Sequence, residues 1–139
     1  MPGTVPSWAD LYRRLPPGLE PYALELEWDR EHLWSLDLPV EEMEIAELEW
    51  QLALPSWRAE DRYFCVRPLD LLEAPHRHLE QLERTLRSDL AFPLDITLRS
   101  GRWFVLDGVH RLLKAVLAGE RTVSVRKVPI DLLAPRPAD

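Results

Sequence analysis

The sequence predicts an α+β fold: a small mixed β-sheet with packed helices, preceded by a helical N-terminal extension. Three observations carry that expectation. Residues 94–99 and 102–106 alternate apolar and polar side chains around Ser100 and Gly101, the pattern of two strands joined by a short glycine-containing loop. After Asp107 and Gly108 the apolar residues Leu112, Leu113, Val116 and Leu117 recur at helical spacing, and Gly119 stands where a C-terminal cap is expected. At 139 residues and 46% hydrophobic content, the chain has enough apolar material for one core.

Taken in order, Pro2, Pro6, Pro16, Pro17 and Pro21 exclude long regular structure from residues 1–21. Ser7 is a suitable N-cap there for a short helix with Trp8, Leu11, Tyr12 and Leu15 on one face. Residues 22–37 fit two patterns. Leu24, Leu26 and Trp28 alternate with Glu25 and Glu27 as in a half-buried strand, whereas residues 29–34 would start a helix. Residues 40–45 can be extended, after which Ile45, Leu48 and Leu52 mark one helical face up to Pro55. Residues 63–67 form a short apolar strand stopped by Pro68, and residues 69–75 a loop or single turn. Residues 78–87 form an amphipathic helix with Leu79, Leu82 and Leu86 on its apolar side. Residues 89–93 lead into the hairpin, residues 122–128 make a last alternating strand, and the chain beyond Pro129 is expected to fray.

This order divides the chain into an acidic, Trp-rich extension (residues 1–61) packed on a main domain (62–130), with a tail at 131–139. Residues 1–61 carry a net charge of −10, residues 62–100 are neutral, and residues 101–139 carry +3. With no dense Lys/Arg stripe, nucleic acid is not an expected partner, because phosphate neutralisation supplies most non-specific affinity. Trp8, Trp28, Trp34, Trp50 and Trp57 all lie in the acidic segment. They fit a buried aromatic core or a platform for a ligand or protein partner, and the tendency of large rings to be buried favours the core. The glutamates between residues 41 and 49 read as a solvated face. Cys65 is the single cysteine, which excludes an internal disulfide and a multi-cysteine zinc site, and its apolar neighbours suggest an inert buried thiol. No basic-plus-apolar leader and no membrane-length apolar run are present, so a cytoplasmic protein without a membrane partner is expected.

Chemistry concentrates at one corner. Asp107, Gly108, His110 and Arg111 fall within five residues where a strand turns into a helix. Such a corner offers unpaired backbone N–H groups and the positive end of the helix dipole, so it attracts anions. Each residue also has a plain structural role open to it. Asp107 and Gly108 can make the turn and cap, His110 can be a hydrogen-bonded structural histidine, and Arg111 can pair with Asp107 or Asp95. Lys114 can reach the same ligand or point into solvent, and His76 and His78, flanking Arg77, can form a second basic wall or an exposed loop. No metal-ligand spacing is visible.

The run of strand, helix, Pro-Leu-Asp-Ile, Gly-Arg-Trp, Leu-Asp-Gly-Val-His-Arg and Leu-Leu-Lys-Ala resembles the ParB/sulfiredoxin superfamily over about residues 62–130. The resemblance implies a bound nucleotide, with Gly108, His110 and Arg111, and within reach Lys114, at its phosphates. Where sulfiredoxins place a nucleophilic cysteine this chain has Val109, which removes sulfiredoxin chemistry. Where ParB-type partition proteins carry Gly-Glu-Arg-Arg and a following helix-turn-helix reader, this chain has Val109 and His110 and shows no such reader, so DNA partitioning is not expected. Asp107-Gly108-Val109-His110-Arg111 looks closest to the small-molecule kinase branch, which implies ATP or another nucleotide, Mg2+ and a small hydroxyl-bearing acceptor. In that branch Asp107 and His110 would be the catalytic residues. A carboxylate base is also implied, for which Glu73, Asp89 and Asp95 are candidates by location. A non-catalytic nucleotide- or anion-binding module that docks a protein through residues 1–61 is the alternative, followed by a ParB-like DNA-associated protein.

Overall fold

A computed structural model describes residues 26–27, 30–54, 57–59, 62–99 and 101–135. The fold is mixed α/β, with a four-stranded sheet and, among the described residues, four α-helices. The strands are β1 (Leu26–Glu27), β2 (Val40–Glu44), β3 (Trp57–Ala59), β4 (Arg62–Val66), β5 (Leu94–Arg99), β6 (Arg102–Asp107), β7 (Thr122–Lys127) and β8 (Ala134–Pro135). The helices are α1 (Arg30–Ser35), α2 (Asp70–Glu73), α3 (Leu79–Arg87) and α4 (Val109–Leu117). The helix of residues 7–15, the rings of Trp8 and Trp28 and the Cys65 thiol lie outside what is described.

The main sheet has the order β2-β7-β5-β6, with β5 parallel to β7 and the other neighbours antiparallel. β5 and β6 pair from Arg99 opposite Arg102 to Asp95 opposite Asp107, with a bulge after Asp95. That bulge leaves Asp107 beside Asp95 at the end of the sheet where α4 begins. α4 is the crossover that returns the chain to β7 parallel to β5. It ends as expected at Gly119, whose φ of +75° lets the Glu120 N–H reach back to Ala115 O at 3.0 Å. Leu94, Ile96, Val105, Leu112, Leu113 and Val125 form the centre of the core.

The acidic segment does more than pack on this sheet. β2, which falls inside residues 1–61, is its edge strand, in register with β7 from Val40 opposite Arg126 to Glu44 opposite Thr122. Only Met43 of β2 is buried, and its glutamates meet basic partners: Glu41 pairs with Lys127 at 3.3 Å and Glu44 with Arg121 at 3.2 Å. The opposite edge is closed by buried Gln51, which accepts from Val105 N at 2.7 Å and donates to Trp103 O at 3.1 Å, standing in for a neighbouring strand.

Four expectations change. β4 is not part of the main sheet; it pairs with β3 in a separate two-stranded ribbon, because a partner a few residues away closes the shortest loop. The extension is not simply helical, since β1, β2 and β3 alternate there with α1 and two short 3-10 turns that bury Ile45, Leu48 and Leu52. The tail is anchored as far as residue 135: Leu133 is buried with Leu33 and Val128, and β8 pairs with β1. The helix at residues 78–87 forms as α3 and Leu82 packs against the core, but its buried residues are Gln81 and Thr85, while Leu79 and Leu86 are 65% and 58% exposed.

Candidate functional site

Gly108 is the pivot between β6 and α4. Its φ is +119°, a left-handed conformation that a side chain resists. A Cβ there would lie 2.9 Å from Leu94 Cγ and 3.1 Å from Arg111 Nη2. Glycine thus serves twice, turning the strand into the helix and leaving room for the Arg111 guanidinium to fold back over the turn. As the N-cap residue it brings no side chain to the first helical amides. The first backbone bond of the helix runs from Leu112 N to Gly108 O at 2.9 Å. Sequence alone pointed to an anion-ready helix start here, and the local geometry has that form.

Around this turn lies an open pocket of about 770 Å³, lined by Trp34, Arg84, Ser88, Asp89, Phe92, Pro93, Asp95, Asp107, Gly108, His110, Arg111 and Arg126. Its size falls in the range of small-molecule sites. Four of the five site residues expected from sequence, Asp107, Gly108, His110 and Arg111, are brought together on its wall.

Arg111 donates from Nη2 to Asp107 Oδ2 at 3.2 Å and from Nη1 to Pro93 O at 3.0 Å. The pair is partly open to the pocket, with the Arg111 and Asp107 side chains 15% and 12% exposed. Asp107 also accepts from the Trp34 indole N–H at 3.3 Å. His110 stacks on the ring of Trp57, with centroids 4.3 Å apart and planes 12° from parallel. Its Nε2 lies 2.7 Å from Gln81 Oε1, a hydrogen-bond distance that orients the ring. This contact explains the inverted face of α3: Gln81 turns inward because it orients His110, and Thr85 follows by bonding its hydroxyl to Gln81 O at 2.9 Å.

Lys114 goes elsewhere. Its ammonium donates to Leu86 O at 2.9 Å and Ser88 O at 2.6 Å, satisfying the last carbonyls of α3, and it does not line the pocket. His76 and His78 are not on the pocket wall either. Of the three candidate bases, Asp89 and Asp95 line the pocket and Glu73 does not. Asp89 Oδ1 accepts from Ala91 N at 2.9 Å in a local turn. Asp95 is almost fully buried and bonded to Arg126 Nε at 2.7 Å. Glu73 is an exposed partner of Arg67 at 3.3 Å. Among the described residues no three His, Cys, Asp or Glu side chains are grouped to hold a metal. The carboxylates of Asp95 and Asp107 are each taken up by an arginine, so they do not present a magnesium cage, and no step below passes through a metal.

Three groups on or behind the wall were not marked as site residues by the sequence. Trp34 was visible only as one member of an aromatic set, and nothing in the sequence singled out Gln81. Arg126 lies in the last strand and carried no site signal of its own; it donates to Asp95, to Leu36 O at 2.7 Å from Nη1 and to Leu33 O at 2.6 Å from Nη2, locking α1 against the sheet. No helix among the described residues is long and apolar enough to cross a membrane. In comparisons with known proteins the sequence matches no family model, and no curated protein and no solved structure is found similar to it.

Proposed function

We propose that the chain binds a small phosphate-bearing ligand, whose phosphate sits at the start of α4 over Gly108. The observation that carries this reading is the uncapped helix start, turned by a glycine that only a residue without Cβ can replace, on the wall of a ligand-sized pocket beside Arg111. Arg84 supports it: this guanidinium lines the same pocket and has no ion-pair partner among the described residues. The likeness to the ParB/sulfiredoxin superfamily supports it as well, and makes ATP, ADP or another nucleotide the first ligands to offer. The acidic overall charge weighs against a DNA partner.

A second reading, phosphoryl transfer to a small hydroxyl-bearing acceptor, is favoured by one observation. Asp107 places a carboxylate on the pocket wall next to the arginine that would hold the phosphate. There Asp107 would orient the acceptor hydroxyl, while the helix start and Arg111 neutralise charge on the transferred group.

Thermal shift with ATP, ADP, CTP and pyrophosphate tests the first reading. Stabilisation by at least one of them, abolished in Arg111→Ala and partly kept in Arg111→Lys, is expected. No stabilisation by any of the four overturns it. Nucleotide turnover with magnesium and a pool of small alcohols, lost in Asp107→Asn, supports transfer; shifts without turnover leave binding alone.

A further inference from the structure

The phosphate end occupies only part of the pocket, and the rest has a different chemistry. Trp34 and Phe92 both line it and are 62% and 61% exposed, although rings of this size are usually covered. Neither is a loose surface residue. Leu33 is fully buried and Arg126 holds the carbonyls of Leu33 and Leu36, so the next residue along α1 is fixed in place. The Trp34 indole N–H then bonds Asp107, tying the ring to the pocket wall. Phe92 lies between the Asp89 turn, where its N–H reaches Asp89 O at 3.2 Å, and Pro93, whose carbonyl takes Arg111 Nη1. Two anchored aromatic rings thus line the same pocket as Arg84, Arg111 and the start of α4.

We infer that Trp34 and Phe92 form a stacking surface for a flat ring on the ligand, so that the pocket selects a phosphate ester of a heteroaromatic compound over a bare phosphate or pyrophosphate. The inference rests on the phosphate-binding reading of the same pocket. The volume of about 770 Å³ is far more than a phosphate group needs. A π-face is what an exposed indole and phenyl ring recognise best, since base–aromatic stacking is strong and tolerant of ring identity. Ser88 and Asp89, which also line the pocket, suit the polar edge of a heterocycle better than an alkyl chain. Trp34 belongs to the acidic segment outside the stretch that resembles the ParB/sulfiredoxin superfamily. That segment therefore supplies ligand selectivity to a phosphate site built by the rest of the chain.

Calorimetric titration of the full chain with ADP and with pyrophosphate, in wild type, Trp34→Ala and Trp34→Phe, tests this. Wild type is expected to bind ADP about tenfold or more tighter than pyrophosphate, within the span of aromatic stacking. Trp34→Ala should bring ADP close to pyrophosphate while leaving pyrophosphate unchanged. Trp34→Phe keeps a ring but lacks the N–H to Asp107, so it should retain most of the ADP preference. Equal binding of the two probes by wild type, or an ADP preference that survives Trp34→Ala, overturns the inference and leaves the phosphate reading standing. Equal weakening of both probes in Trp34→Ala also overturns it, assigning Trp34 to holding Asp107. No binding of either probe overturns the phosphate reading itself. Because the Trp34 ring is largely exposed, its removal leaves the core intact, which circular dichroism verifies.

Discussion

Two Asp–Arg pairs line the same pocket and are built for different work. Asp95 and Arg126 are nearly buried, 2.7 Å apart, and Arg126 spends its remaining bonds on the Leu33 and Leu36 carbonyls. Asp107 and Arg111 sit 3.2 Å apart at the start of α4 and are somewhat more exposed, Arg111 also donating to Pro93 O and Asp107 also accepting from Trp34. The first pair is closed and holds α1 on the sheet. The second is looser and faces a space a ligand can enter. Residue types alone do not distinguish them; burial and the separation of the two charges do. A third pair gives the surface baseline: Arg67 and Asp70, 2.7 Å apart where the chain enters α2, are partly exposed and do not line the pocket.

The largest expected effect comes from breaking the closed pair. Arg126→Met takes the guanidinium from a buried carboxylate and from the Leu33 and Leu36 carbonyls, of which Leu33 O keeps the Leu36 N–H, so stability should fall by about 3–5 kcal/mol, read from urea denaturation. A loss below about 1 kcal/mol would show that the pair is not the clamp described. Arg126→Lys should recover only part, because an ammonium cannot make the same three-way fork.

Next comes the pivot between the pairs. Gly108→Ala forces a Cβ into a left-handed backbone and against Leu94, at a cost of about 3 kcal/mol by strain and overpacking. It should also displace the Arg111 guanidinium, so pyrophosphate binding should fall along with the melting temperature. Unchanged stability would mean that the turn relaxes.

The open pair should behave in the opposite way to the closed one. Arg111→Ala should cost only about 1–2 kcal/mol of stability, for two partly exposed hydrogen bonds, yet weaken pyrophosphate binding about tenfold or more. If its stability loss equals that of Arg126→Met while binding is unaffected, the two pairs do not differ in the way claimed.

The surface pair should matter least, and mainly at low pH. Burial alone would push the Asp70 carboxyl up, but hydrogen bonds from the Arg67 guanidinium and backbone N–H, with the Arg67 charge, outweigh it and hold it below its ordinary value. The folded state therefore favours the ionised form. The stability this adds is present at neutral pH and is lost as pH falls through the carboxylate range, below about 4. Asp70→Asn should remove that part of the acid limb of the stability curve and change little at neutral pH. A larger loss at pH 7 than Arg111→Ala would reverse the ranking.

The sequence made the local features legible. The β5–β6 hairpin, α4 and its glycine cap are each specified by neighbouring residues, so alternation, spacing and turn chemistry sufficed. The anion-ready corner was legible for the same reason, since Asp107, Gly108, His110 and Arg111 are consecutive or nearly so. What depends on distant partners was hidden. β2 looked merely extendable because its partner β7 lies some eighty residues on. The inward face of α3 was legible only in part: Leu82 packs against the core as expected, but Gln81, bonded to His110, takes the buried place that Leu79 and Leu86 do not. Lys114 looked like a ligand group until the end of α3 arrived beside it. Trp34 could not be told from its neighbouring tryptophans, because its place depends on Arg126 gripping α1 from the other side of the pocket.

The central claim is that the start of α4 receives phosphate. It is tested most directly by following the backbone amide resonances of Val109, His110 and Arg111 in a 15N-labelled sample as pyrophosphate is added. Saturable downfield movement of these amides, weakened by salt and absent in Arg111→Ala, is the expected result. Amides at the start of α4 that stay in place at saturating pyrophosphate, whether or not others move, would contradict it.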